Sequence, residues 1–282
     1  NQTLGTLSET SMLFKYLSEA RVQILESLEI RFTQPRALND PFEASPLIDI
    51  IPEKKSFIEQ MERDAQDLLN NTTSDEKTPE NHKILQETIS ELRATALEKM
   101  SPSNVGISVM DLINPALGVL SLSRTFSNLL MWSHYAESHK GFVIGLDTSH
   151  DFFFQKTYQG LKSAPNKVSY TTQRSATHAG DPDLYAKILC EKPIDWAHEE
   201  EVRIFRLFTQ DTKPSGTDNY GHPVYLFSLP KECIKSIYIG THANPSLKER
   251  ILKYTTNQKL NISIFEMTIS RSRYELEYQQ CV

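Results

Sequence analysis

The sequence is poor in cysteine, and this scarcity excludes two classes of site. Only three cysteines occur in 282 residues, Cys190, Cys233 and Cys281, and they lie far apart. They form neither the paired spacing of a zinc site nor a disulfide framework. Such usage is typical of a reducing compartment, so we expect a cytoplasmic protein.

Several common functional signatures are also missing. The sequence has no glycine-rich phosphate loop, no nucleophile elbow and no apolar run long enough for a membrane helix. The amino-terminal residues contain no apolar signal core, and we expect no membrane association. The formal net charge is −6 and no basic tail is present. This charge argues against general nucleic-acid binding.

What is present indicates a globular protein of mixed structure. The hydrophobic content of 39% and the charged content of 23% are those of a soluble domain. The predicted strands meet as hairpins more often than as strand–helix–strand units. We therefore predict one α+β domain over residues 1–282, with antiparallel-rich mixed sheets around a cleft. Residues 52–100 are charged, with apolar side chains at helical spacing, which predicts an inserted helical hairpin.

One stretch in the middle of the chain, LGVLSLSRTFSNLLMWSHYAESHKGFVIGLD, concentrates polar side chains between two predicted strands. Ser121 and Ser123 are two residues apart on the first strand and therefore share one face. His134, Tyr135 and His139 follow in the central segment. Hydroxyl groups followed by an aromatic and imidazole cluster predict one wall of a ligand site.

Three consecutive glutamates, Glu199 to Glu201, precede another predicted strand. Alternation along that strand predicts that Glu199, Glu201 and Arg203 share one face. If these carboxylates are buried, their mutual repulsion raises the pKa of at least one of them. The alternative interpretation is a solvated acidic turn in which Glu201 pairs with Arg203.

Metal chemistry has little support in the pattern. His134 and His139 are five residues apart, so they do not stack on one helical face, and we expect no zinc site. Tyr135 and His139 suit a base or a stacking platform, or else the histidines cap neighbouring backbone. Asp40 and Glu43 follow the first strand, but the further residues of a metal-dependent nuclease site do not follow them.

The string LLMWSHYAESHKGFVIGLD, with LNDPFE upstream and WAHEEEVRIF downstream, resembles a bacterial family called domain of unknown function 2971. The resemblance spans roughly Met12 to Tyr274. Members look like effectors or accessory proteins, some of them in phage defence. This resemblance identifies relatives of the chain, but it does not imply that they catalyse a particular reaction.

A glutamate–x–glutamate pair at a strand start is also similar to the ADP-ribosyltransferases. The resemblance implies that this pair orients the nicotinamide ribose of NAD and stabilises its developing positive charge. It further implies that an arginine holds the dinucleotide phosphates and that a serine–x–serine strand shapes the nicotinamide pocket. Arg31, the serines Ser121 and Ser123, and the pair Glu199 and Glu201 follow in that order, with a leucine between the serines.

The leading hypothesis is therefore an NAD-consuming, ADP-ribosyltransferase-like effector or toxin, with NAD as co-substrate, no metal, and nucleic acid only as an acceptor. The predicted catalytic residues are Glu201, Glu199 and His139. The predicted cofactor-binding residues are Arg31, Ser121, Ser123, His134 and Tyr135. The alternatives are a nucleotide- or protein-binding sensor without turnover, with residues 52–100 as the partner surface, and a metal-dependent nuclease.

Overall fold

The computed structural model describes residues 12–43, 45–49, 101–154, 164–178, 181 and 184–281, together with single helical residues between 59 and 99. The chain divides into two compact units. The larger comprises Asn1–Pro41, Asn114–Thr172 and Cys190–Val282, and the smaller comprises Phe42–Ile113 and Gln173–Leu189. The single domain over residues 1–282 stays a prediction. The predicted hairpin at residues 52–100 lies largely outside the described residues.

Fifteen strands lie within the described residues. In chain order they are β1 (Met12–Leu17), β2 (Glu29–Phe32), β3 (Ile48–Asp49), β4 (Leu117–Ser123), β5 (Phe142–Asp147), β6 (Asn166–Lys167), β7 (Ser169–Thr171), β8 (Thr177–His178), β9 (Glu191–Pro193), β10 (Glu201–Leu207), β11 (Gly216–Thr217), β12 (Pro223–Ser228), β13 (Ile234–Ile239), β14 (Ser263–Ile269) and β15 (Leu276–Gln280).

Five α-helices have both ends within the described residues. They are α1 (Ile24–Ser27), α2 (Pro102–Ile113), α3 (Leu129–Tyr135), α4 (Leu184–Leu189) and α5 (Pro245–Asn257). The longest, α5, begins where Asn244 accepts a hydrogen bond from the backbone of the first turn and a proline occupies the first helical position.

An eight-stranded sheet forms the centre of the larger unit. Its strand order is β15-β14-β13-β5-β1-β4-β10-β6, and every described pairing in it is antiparallel except the one between β13 and β14. A second sheet of the same unit has the order β11-β12-β2, and β7 pairs with β9. In the smaller unit, β3 pairs with β8. The predicted α+β class with antiparallel-rich sheets is confirmed.

Both faces of the large sheet are apolar. On one face, alternate residues of the central strands pack against α1, α5 and β2, with Leu25, Phe32 and Leu247 fully buried. On the other face, Tyr16 packs against Trp132 of α3, which has no exposed surface, and Tyr238 belongs to the same core. Strand residues therefore alternate between two cores rather than between a core and solvent.

Candidate functional site

The pairing of β4 with β10 brings the predicted serines and glutamate onto neighbouring strands. In this register Ser123 lies opposite Glu201, and Ser121 lies opposite Arg203. Val202 belongs to the core that contains α1 and α5. Because strand residues alternate in direction, Glu201 and Arg203 point to the opposite face, the one covered by α3.

The Glu199 side chain lies close to that of Glu201, as predicted, but a different element carries it. It does not lie on β10 but ends a 3₁₀ helix, Ile194–Glu199, which stops because Glu200 adopts a left-handed φ of 44°. The Glu199 side chain is buried. Its Oε1 accepts a hydrogen bond from the Tyr135 hydroxyl, and its Oε2 lies 2.5 Å from the Lys192 Nζ.

Helix α3 positions Tyr135. The helix begins where the Asn128 side chain accepts hydrogen bonds of 2.9 and 3.2 Å from two backbone N–H groups of the first turn. At its other end the Tyr135 hydroxyl also accepts a 2.8 Å hydrogen bond from Asn39 Nδ2. Burial, and then the hydrogen bond to Glu199, raise the pKa of Tyr135. The tyrosine is therefore a neutral hydrogen-bond donor to the carboxylate.

Glu201 makes a two-pronged ion pair with Arg203. The Arg203 Nε and Nη2 lie 2.9 and 2.8 Å from the two carboxylate oxygens, and the Lys192 Nζ lies 3.3 Å from one of them. Burial opposes ionisation of the carboxyl. The Arg203 guanidinium, the Lys192 ammonium and a hydrogen bond from Ser121 outweigh burial and lower the pKa of Glu201 to about 2. The rise in pKa that repulsion predicts for at least one of the three glutamates does not occur at Glu201.

We define the charge cluster as Lys192, Glu199, Glu201 and Arg203. All four side chains are buried, and two positive charges balance two negative ones. Lys192 lies between the two glutamates, with its ammonium 5.0 Å from the centre of the Trp196 ring. Lys192 was not among the predicted site residues, because its place depends on the pairing of β9 with β7. No local pattern marks that pairing.

Lys15 is a second buried basic residue that was not among the predicted site residues. It lies on β1, the strand next to β4, and its Nζ donates a 2.9 Å hydrogen bond to the Ser121 backbone carbonyl. Burial lowers the pKa of Lys15 to about 8, against the raising effect of the Glu201 charge. A lysine inside the apolar run MLFKYL is the signal that could have identified it, since a buried lysine needs a partner.

The hydroxyl group of Ser123, the second serine of the predicted pair, holds the 3₁₀ helix Ile194–Glu199 in place. Its Oγ donates a 2.7 Å hydrogen bond to the Glu199 carbonyl oxygen. The two serine hydroxyls therefore form hydrogen bonds to different glutamates. The first contacts the Glu201 carboxylate, and the second fixes the backbone that carries Glu199.

Arg31 lies apart from these contacts. It is on β2 in the second sheet, where its guanidinium pairs with Asp218 at 2.8 Å. A hydrogen bond from Arg31 is the largest cause that lowers the pKa of Asp218 to about 2. Within the described part of the chain, no hydrogen bond or ion pair joins Arg31 to the charge cluster.

The two predicted histidines occupy different surroundings. His134 is exposed, with its ring centre 6.4 Å from that of Tyr135 and 6.1 Å from that of His198. His139 follows α3 and stacks on Trp132, with its ring centre 5.9 Å from that of His242. His134 therefore flanks the charge cluster beside Tyr135, whereas the ring contacts of His139 are with other residues.

Asp40 is buried, as a metal ligand often is. Among the described residues, however, no group of three or more histidine, cysteine, aspartate or glutamate side chains is placed to hold a metal ion. In the same part of the chain, no helix combines the length and the apolar character needed to cross a membrane.

Comparison with known proteins gives one match. A family model described as a protein of unknown function (DUF2971) matches residues 131–204. This segment begins in α3 and ends in β10, so it contains Tyr135 and the whole charge cluster. No curated protein matches the chain, and no solved structure matches it. The similarity to ADP-ribosyltransferases stays a prediction.

Proposed function

We propose that the protein is an ADP-ribosyltransferase-like enzyme that consumes NAD, with Glu201 as its catalytic carboxylate. The observation that carries the proposal is the adjacency of β1, β4 and β10. Strands β4 and β10 place Ser121 and Glu201 on one face of the sheet, in the order serine and glutamate that the resemblance implies, and Lys15 of β1 reaches the Ser121 backbone from the opposite face. Lys15 rather than Arg31 is the basic residue next to these two strands, because it donates a hydrogen bond to the Ser121 backbone carbonyl oxygen.

The reaction would break the bond between the ribose C1′ and the nicotinamide nitrogen. Nicotinamide leaves with the bonding electron pair, and positive charge develops on the ribose. An acceptor nucleophile then forms a bond to C1′ and loses a proton. Glu201 suits the stabilisation of this charge, because a carboxyl with a pKa of about 2 remains anionic at neutral pH. A fixed anion beside developing positive charge is typically a large contribution to catalysis.

The other residues of the set would then have separate roles. Glu199, which is oriented by Tyr135 and Lys192, would place the acceptor. Lys15 would hold the Ser121 backbone in place from the opposite face of the sheet, through its hydrogen bond to the Ser121 carbonyl oxygen. His134 and Tyr135 would offer ring faces to the nicotinamide or adenine.

Access to Glu201 imposes a condition on this proposal. Only 6% of the residue is exposed, and its carboxylate already pairs with Arg203 and Lys192. NAD can reach the carboxylate only if one of these side chains moves when the dinucleotide binds. The resting protein is therefore the closed form of the proposed site, and an acceptor or partner would favour the open form.

The same burial favours a second candidate function. Because every charge of the cluster is paired, the cluster also suits a structural role in a nucleotide- or protein-binding sensor without turnover. Incubation with NAD labelled on its adenylate half, in the presence of bacterial lysate or nucleic acid, separates the two functions. The enzyme predicts label attached to an acceptor. A rise in melting temperature with NAD but no attached label would support the sensor.

A further inference from the structure

A cavity of about 490 Å³ lies outside the charge cluster. Three connections line it: the one that follows α3, the one between β13 and α5, and the one between β14 and β15. Its volume falls in the range of about 300–1,000 Å³ that small-molecule sites occupy. Within the described residues, no hydrogen bond or ion pair joins its lining to Glu199, Glu201 or Lys192.

Three buried polar atoms of the lining have no hydrogen-bond partner among the described residues. They are the His139 Nδ1, the Thr241 Oγ1 and the Ser270 Oγ. Ser270 is only 7% exposed, so water does not readily replace the missing partner. Buried polar atoms in native proteins almost always have a partner. Three such atoms on one cavity therefore indicate a ligand that supplies the partners.

The charge of the lining favours an anion. Arg271 has no ion-pair partner in the described part of the chain, whereas Arg273 pairs with Glu275 at 2.7 Å. One positive charge is thus left uncompensated at the cavity. Hydroxyl groups and a guanidinium together supply the donors that phosphate oxygens prefer.

Two imidazole rings complete the donor set. The rings of His139 and His242 lie 5.9 Å apart, centre to centre, and both residues line the cavity. Burial, and then the neighbouring His242, lower the pKa of His139. The His139 ring is therefore mostly neutral near pH 7, and its free Nδ1 is a donor in one tautomer.

We propose that this cavity binds a small organic phosphate. Arg271, Ser270 and Thr241 contact its phosphate group, and His139 donates to one of its oxygens. The cavity exceeds what inorganic phosphate alone would fill, and the neighbouring Leu129 and Tyr274 side chains offer apolar surface to the organic part. The site goes beyond the proposed NAD chemistry and does not depend on it.

The test is a titration of the full chain, with its histidine ring nitrogens observed by nitrogen-15 NMR. Inorganic phosphate, ribose 5-phosphate and ribose are the probes, and sodium chloride controls for ionic strength. Phosphate and ribose 5-phosphate are expected to shift the His139 and His242 signals, ribose 5-phosphate at lower concentration. Ribose and chloride are expected to leave them unchanged.

Arg271→Ala and Ser270→Ala are the test variants, and Arg21→Ala is the matched control. Arg21 is also an exposed arginine, but it lies outside the cavity. Loss of a charge-assisted hydrogen bond should weaken phosphate binding by about tenfold or more in the test variants. The control should bind as the original chain does. Because Arg271 is exposed, its variant should fold normally even if Ser270→Ala does not.

Two results of the binding experiments would overturn the site, and so would one result of the salt control. One is the absence of histidine shifts with phosphate up to about 20 mM, where even a ligand with a Kd of about 1 mM would nearly saturate its site. The other is equal binding by Arg271→Ala and Arg21→Ala. Shifts of the same size with chloride would also count against it, since they would report ionic strength alone.

Discussion

At the scale of single residues, the buried ion pairs around Glu201 couple stability to the proposed chemistry. Arg203 and Lys192 keep the Glu201 carboxylate ionised, and both are themselves buried. A buried cation that loses its anion is costly, whereas an exposed pair contributes little. The chain offers both situations in adjacent residues, because Glu200 makes a half-exposed pair with Arg124 at 3.1 Å.

We therefore predict that Glu201→Gln lowers the free energy of unfolding by about 3 kcal/mol, because the Arg203 charge stays buried without its partner. Glu200→Gln removes a charge from the next residue and should lower the free energy of unfolding by less than about 1 kcal/mol. Urea unfolding of both variants at pH 7 measures the difference. Equal stability of the two would mean that the Glu201 pair contributes nothing in solution.

The lowered pKa of Lys15 predicts that the free energy of unfolding rises as the pH rises above about 8. Its pKa is lowered to about 8 in the folded chain from an ordinary 10.5. Between those pH values the unfolded chain binds more protons, so the free energy of unfolding rises with pH. In Lys15→Met this contribution is absent, and the curve should be flatter between pH 8 and pH 10. Urea unfolding across that range is the measurement, and parallel curves for the two proteins would contradict a buried Lys15.

At the scale of elements, the connection from α3 to β5 is the least regular part of the site. Glu137, Ser138 and His139 all have positive φ values, of 52°, 53° and 67°. Each such residue costs about 1–2 kcal/mol relative to the right-handed form. Hydrogen bonds from the backbone of this turn to the last residues of α3 hold it in place. The turn places His139 against Trp132, and so it shapes the cavity.

Gly141 ends this turn and is predicted to tolerate no side chain. A Cβ there would collide with the Leu17 carbonyl oxygen and crowd the Ala136 carbonyl oxygen at 3.1 Å, both of them backbone atoms. We expect Gly141→Ala to destabilise the protein by about 3 kcal/mol. Gly221→Ala is the control. It has a φ of +83° but open space around it, so it should cost about 1 kcal/mol. Thermal unfolding of both variants measures this, and equal losses would contradict the packing of α3 against β1.

The elements also show what the sequence could and could not predict. The α+β class with antiparallel-rich sheets was predicted correctly, because it depends on the pattern of strands along the chain. The prediction that Glu199 lies on the same strand as Glu201 was wrong, since a left-handed residue at Glu200 separates it from β10. Lys192 and Lys15 were missed because their roles arise from strand pairings between distant segments.

At the scale of the whole molecule, the order of strands determines which residues can act together. Lys15 and Ser121 are 106 residues apart in sequence, and Glu201 lies a further 80 along the chain. Only the order β1-β4-β10 brings them to neighbouring strands. The proposed enzyme depends on that order rather than on any local motif. Residues 131–204 carry the glutamates and Tyr135 but not Lys15.

The most direct test of the central claim is nicotinamide release from NAD by the full chain, with Glu201→Gln and Glu200→Gln compared at equal folded concentration. Near-ultraviolet circular dichroism at the assay temperature supplies the folded fraction. The original chain and Glu200→Gln should release nicotinamide at similar rates, and Glu201→Gln should be slower by about 100-fold or more. Release by folded Glu201→Gln at the full rate, or no release by the original chain with lysate or nucleic acid present, would contradict the claim.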